Sequence, residues 1–235
     1  MTAQVRRGAA LSRARAALAC TRSWRRTIST AAPTRASNLW IHPTLDFDRN
    51  WSAFASDLDA PFPLLFASFP SAKDPTFEQR YPGHQTIEVV VPTPYHWFTN
   101  WSGTPWKKRG DNYLDFKKRL EERLLAALYR HVPEVAGAID AYELSTPLST
   151  QHFVNAAHDE TYGLAHGPAR FMCRDLRPAT PIRNLFLTGQ DVSTCGVIGA
   201  LAGAIATASA VLGRNLFGTL ANHKASVANA GKRAA

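Results

Sequence analysis

The residues best suited to chemistry gather in the last third of this 235-residue chain. Asn184-Leu185-Phe186-Leu187-Thr188 reads as a buried strand, Gly189-Gln190-Asp191 as the loop after it, and Cys195 to Gly213 as an uncharged helix of small residues. Strand, glycine turn, carboxylate and glycine-led helix make up a nucleotide-type arrangement. Backbone N–H groups at a helix start offer donors and partial positive charge to anionic atoms, and a loop carboxylate accepts from sugar or ribityl hydroxyls. Gly196, Gly199 and Gly203 would let that helix approach a strand or ligand closely. The uncharged run 192–213 also has the length of a bilayer span. Ala, Gly, Ser and Thr dominate it, however, whereas insertion rests on Leu, Ile, Phe and Val, so a helix buried inside a protein is the expectation.

Other side chains carry weaker patterns. Tyr162 and His166 are candidate proton donors to a carbanion-like carbon, against the plainer reading of loop residues with structural hydrogen bonds. His152, His158, His166 and Cys173 fit no recognised zinc spacing, so no metal site is expected. Arg170, Arg174 and Arg177 could meet phosphate, with a solvated loop as the default. Tyr95-His96-Trp97-Phe98 with Trp101 and Trp106, followed by Lys107-Lys108-Arg109, interleaves aromatic and basic residues as a nucleic-acid platform would. Aromatics lining an apolar pocket or a membrane-facing rim explain the cluster at least as well.

Charge distribution favours the second explanation. The net charge is +9, but eight of the 27 basic residues are arginines between Arg6 and Arg35, ahead of the first acid, Asp46. They leave 19 basic against 18 acidic residues, a near-neutral remainder without a phosphate-backbone footprint, and no nucleic-acid partner is expected. The Arg-rich, acid-free segment 1–37 has the composition of a mitochondrial or plastid presequence, or of a disordered extension. Three cysteines are too few and too unevenly placed for a disulfide framework.

The elements that must position these groups begin near Ser37. A short strand around Leu39 precedes a helical turn over 51–58, and Leu64 to Phe69, bounded by prolines, reads as a buried strand. Gln85 to Val91, rich in β-branched residues, suggests a hairpin with it. Asp111 to Arg130 is amphipathic, with Tyr113, Phe116, Leu120, Leu124, Leu125 and Leu128 on one face. A strand over 139–144 and a helix begun by Pro147 follow.

Leu185-Phe186-Leu187-Thr188-Gly189-Gln190-Asp191, running into Cys195-Gly196-Val197-Ile198-Gly199-Ala200, resembles the C-terminal flavin-binding motif of the retinol-saturase, phytoene-desaturase and carotenoid-isomerase family. Phe69 to Pro75, Glu143 to Thr150, Tyr162-Gly163-Leu164 and Arg170-Phe171 resemble the same family in the same order, so the likeness covers about 37–213. It implies a glutathione-reductase-like flavoprotein with FAD as cofactor. Gly189, Gln190 and Asp191 would contact it, with Asp191 on the ribityl chain, while the helix start at Gly196, Val197 and Ile198 would face the flavin and steady negative charge on the reduced ring. Hydride would pass between flavin and a polyene carbon, with the stretch 146–150 along the substrate channel.

The family opens with a strand into Gly-x-Gly-x-x-Gly, which cradles the pyrophosphate, and this sequence has no such motif. The expected fold is therefore a mixed α/β C-terminal portion: a presequence-like or disordered tail over 1–37, a substrate-domain region with a mixed sheet over 38–180, the last flavin-domain strand, loop and helix over 181–214, and a disordered tail over 215–235. The expected function is saturation, desaturation or isomerisation of a carbon–carbon double bond in a retinoid, carotenoid or similar polyene lipid. The alternative is a non-catalytic remnant or interaction module that binds no flavin. Implied partners are an apolar polyene, a membrane surface met peripherally, and a separately encoded N-terminal half. The location expected from the tail is mitochondrial or plastid, with an endomembrane association as the alternative.

Overall fold

The computed structural model describes residues 16–25, 37–155, 160 and 162–222, with the backbone path alone for 16–25. The chain divides after Thr161 into two compact units. The first carries β1 (Ala16–Arg25), β2 (Leu39–Ile41), α1 (Phe47–Ser56), β3 (Leu65–Ser68), α2 (Phe77–Arg80), β4 (His84–Thr93), α3 (Asp111–His131), β5 (Ala141–Ser145) and α4 (Pro147–Val154).

The strands form one sheet in the order β2-β3-β4-β1-β5, antiparallel at every pairing, with Ala67 opposite Val89 and Cys20 opposite Leu144. A mixed sheet is therefore not what these residues build. Within the stretch 1–37, residues 16–25 form a central strand between β4 and β5. This ten-residue run holds no proline or glycine, and without it β4 and β5 would present unpaired N–H and C=O groups along both facing edges.

Alternation along β4 sets the core. Ile87, Val89, Val91 and Thr93 point to one face and are almost wholly buried. Helix α3 adds Leu120, Leu124 and Leu128, one turn apart, each at 2 % exposure or less. They join Phe54, Leu65, Phe69, Phe98, Leu144 and Leu148 in one cluster, each large side chain contributing about 1.5–3 kcal/mol. The aromatic run belongs to this packing: Phe98 is buried, Trp101 stacks on Phe116 at 5.4 Å, and Trp106 lies parallel to His152 at 5.3 Å.

Two family-like stretches prove to be polar locks. Ser71 receives the Thr86 N–H on its hydroxyl at 3.0 Å and donates its own N–H to Thr86 Oγ1 at 3.2 Å, which ties the β3–β4 connection to the sheet. Thr146, buried beneath the start of α4, lies 2.6 Å from the Tyr113 hydroxyl, and its N–H donates to Ser149 Oγ at 3.2 Å. Within 146–150, Thr146 and Ser149 thus satisfy a helix start and each other.

The second unit contains α5 (Pro168–Met172), a 3₁₀ turn at Gln190–Val192, α6 (Gly196–Leu212) and α7 (Leu216–Asn222). The strand expected at 184–188 is absent. Phe186 makes one isolated bridge to Ala179, and Leu185 and Phe186 are 46 % and 36 % exposed. No strand among the described residues of this unit offers them a ladder.

Helix α6 is likewise not buried. Val197 is 85 % exposed and Ile198 73 %, and among the described residues of this unit only Arg170, Gly199 and Gly203 are buried. No single helix among the described residues is long and apolar enough to cross a membrane. Helices α6 and α7 pass that test only as a pair, bent by 113°. The α7 helix begins where the sequence reading placed the C-terminal tail.

Candidate functional site

The loop from Gly189 to Ser193 is where the sequence concentrated its chemistry, and the structure holds it from several sides. Gly189 takes φ +97°, a conformation that disfavours any side chain. A 3₁₀ turn follows, with the Val192 N–H donating to the Gly189 carbonyl at 3.3 Å and Ser193 to Gln190 at 3.1 Å. Gln190 Oε1 then accepts the Gly196 N–H at 2.9 Å, so loop and helix start are one hydrogen-bonded piece.

The glycines of α6 permit this packing. A Cβ on Gly203 would stand 2.2 Å from the Gly189 carbonyl oxygen, and one on Gly199 would stand 1.5 Å from that of Thr194. One turn further, Thr207 Oγ1 lies 2.7 Å from the Leu187 carbonyl oxygen and 2.8 Å from that of Gly203, sharing its single proton between them. Helix and loop backbones meet with no side chain between.

Asp191 sits at the centre of the turn. Its Oδ1 accepts the Leu164 N–H at 3.1 Å. Gly163, at φ +67°, passes so close that a Cβ there would fall 2.5 Å from the same oxygen. No ion pair involves Asp191 among the described residues, and the carboxylate borders a cleft of about 320 Å³ together with Arg170, Cys173, Arg177, Ser193 and Phe217. One N–H on a carboxylate leaves acceptor positions for hydroxyl groups.

The structure brings Gly189, Gln190, Asp191 and Gly196 into this assembly. The Gly196 amide is already taken by Gln190, which leaves Val197 and Ile198 at the first turn, where N–H groups lack intrahelical acceptors. Tyr162 is half exposed, its ring 3.9 Å from where a Gly196 side chain would begin. His166 is engaged by Arg170, whose Nη1 donates to Nε2 at 2.5 Å. His152 and Cys173 lie in different units, and His158 falls outside the described residues.

Sequence reasoning missed Arg170 as a buried group. It is 3 % exposed and its Nη2 donates to the Gln190 carbonyl at 2.7 Å and towards that of Ser193 at 3.5 Å, while its Nε has no partner. The i, i+4 spacing of His166 and Arg170 was the available signal, and it is too common to mark a buried cation. The first unit has a larger cleft, about 540 Å³, that includes Phe62, Leu65, Arg123 and His131. Arg123 there is a scaffold group: it donates to the Leu58 and Ala60 carbonyls and lies 4.6 Å from the Phe62 ring centre, and burial pushes it below its ordinary value.

No family model matches the chain. It is 37 % identical over 194 residues to the all-trans-retinol 13,14-reductase of Homo sapiens, a match covering 80 % of this chain and 32 % of that protein. The Rattus norvegicus protein of the same name is 38 % identical over 193 residues, with 79 % and 32 % covered. A Danio rerio protein named inactive all-trans-retinol 13,14-reductase is 33 % identical over 169 residues, 69 % of this chain and 28 % of that one. The chain thus spans about a third of the length of the curated relatives it matches.

Proposed function

Since the chain belongs to the retinol-saturase-like family, that of the all-trans-retinol 13,14-reductases, we propose that it forms the flavin-facing, C-terminal portion of an oxidoreductase acting on a retinoid or similar polyene lipid. The observation that carries this reading is Asp191. Its carboxylate is held at a cleft wall beside a helix start, with one backbone donor and no counter-cation among the described residues.

These residues fit the ribityl part of FAD, which when bound supplies hydride exchange with a carbon–carbon double bond. Asp191 would accept from ribityl hydroxyls, and the unpaired N–H groups of the first α6 turn at Val197 and Ile198 would favour negative charge nearby. Gln190 and Gly189 would hold that loop and not touch the ligand through the Gly196 amide. Tyr162, half exposed beside Gly196, is the better placed of the two proton-donor candidates, because His166 already accepts from Arg170.

Helix α6 also needs cover. Val197, Ile198, Leu201, Val211 and Leu212 are each more than half exposed on an uncharged helix, and no apolar side chain is buried among the described residues of that unit. Contiguous apolar surface of this kind marks a docking face. A dinucleotide-binding domain is its proposed occupant.

A specific observation also favours the non-catalytic reading: one relative is named inactive. Mixing the chain with FAD, all-trans-retinol, a reductant and the dinucleotide-binding portion of a relative separates the two. Loss of the polyene absorbance supports the redox reading, and the absence of both flavin retention and polyene consumption supports the non-catalytic one.

A further inference from the structure

We propose that Arg170 is the positioning residue of the carboxylate loop, acting through the backbone on either side of Asp191. Its Nη2 reaches the carbonyls of Gln190 and Ser193, the neighbours that bracket Asp191 and Val192. Its Nη1 is fixed by His166 Nε2, and the residue is 3 % exposed. A buried guanidinium ordinarily faces a carboxylate, because taking it out of water costs several kcal/mol otherwise. Here no carboxylate lies within ion-pair distance among the described residues, and carbonyl oxygens take its place. The planar fork suits this task, since it spans two carbonyls and an imidazole at once, which an ammonium on a flexible stem does not.

The opposite side of the loop is closed independently. Leu164 donates to the Asp191 carboxylate, which packs into the space that a side chain on Gly163 would fill. Arg170 therefore fixes the backbone while the 163–164 turn fixes the side chain, and loss of either lets the carboxylate leave its place. This rests on the reading of Asp191 as the ribityl contact only for its functional consequence. The clamp itself is a property of the chain.

The test uses the full chain and its Arg170→Lys and Arg170→Met variants, with amide exchange followed by NMR. Both variants are expected to exchange the Leu164 and Gly196 amides about tenfold or more faster, while amides of α3 between Leu120 and Leu128 keep their rates. FAD titrations of the same samples should weaken in step, with Lys failing to restore the parent value. Parental exchange at Leu164 and Gly196 would overturn the proposal, as would equal acceleration in α3, which would make Arg170 a general fold residue. If exchange responds as stated but the parent binds no FAD, the clamp stands and the flavin reading fails.

Discussion

Replacing Gly203 by Ala sets two opposed effects against each other. On intrinsic propensity alone the change should stabilise α6 by about 1 kcal/mol, because glycine is the costlier residue in a helix interior. The geometry predicts the reverse. A Cβ at 203 would stand 2.2 Å from the Gly189 carbonyl oxygen, 3.0 Å from its carbon and 3.2 Å from its nitrogen. The oxygen contact is roughly 1 Å too short, and its partner is backbone, so no side chain can rotate out of the way. Forcing such overpacking costs about 1–3 kcal/mol or drives the elements apart. The net expectation is destabilisation of the loop by up to about 2 kcal/mol. Moving the loop by about 1 Å would also carry Asp191 with it, a displacement that can cost about a hundredfold in a positioned reaction. Amide exchange at Leu164, whose N–H donates to Asp191, should accelerate about tenfold. Ala204→Gly, one residue on at an exposed position, should weaken the helix by about 1 kcal/mol and leave the Leu164 amide alone. If Gly203→Ala instead raised stability by the propensity increment and left Leu164 unchanged, the close approach of helix and loop would be wrong.

Gly163→Ala should loosen the same carboxylate by a different route, since its φ of +67° strains any side chain and its Cβ would fall 2.5 Å from Asp191 Oδ1. A cost of about 1–2 kcal/mol is expected, read as a lowered FAD affinity with the thermal midpoint of the first unit unchanged. Tyr113→Phe removes the partner 2.6 Å from the buried Thr146 hydroxyl. Losing that hydrogen bond, while the hydroxyl keeps its place at the start of α4, should cost about 0.5–1.5 kcal/mol, visible in chemical denaturation. Asp74 accepts from the Thr76 hydroxyl and N–H and pairs with Arg80, which together hold its carboxyl below the ordinary 3.8. A depressed folded value means the stabilisation is present above pH 3.8 and fades as pH falls through the lower folded value. An NMR titration of the Asp74 carboxyl should therefore have its midpoint below 3.8, and a midpoint at or above that value would contradict the turn geometry.

The first unit was legible wherever periodicity was strong. The spacing of Leu120, Leu124 and Leu128 announced α3, and the β-branched run at 85–91 announced β4, because each pattern is the burial pattern itself. Residues 16–25 were not legible: their composition matches a presequence, and what makes them a strand is the pair of open edges on β4 and β5, which lies far away in sequence. The reading of 184–188 erred in the other direction. Leu185-Phe186-Leu187 has strand-like residues, but a strand needs a neighbour, and the described residues of that unit supply one bridge at Phe186. At the site, the glycines and Asp191 were visible as types. Their partners were not, because the Leu164 N–H and the Gln190 carbonyl are backbone groups that every residue carries, and Arg170 looked like any loop arginine until its burial was known.

The central claim is that Asp191 and the helix start of α6 form a flavin contact, and it is tested most directly by titrating the purified chain with FAD beside an Asp191→Asn variant, following the visible flavin absorbance. Removing the charge from a hydrogen-bonding carboxylate should weaken binding about tenfold to a hundredfold, with the α3 amides exchanging as before. Equal FAD affinity in the two proteins would contradict the account, as would absence of binding by the parent even with the dinucleotide-binding portion of a relative present.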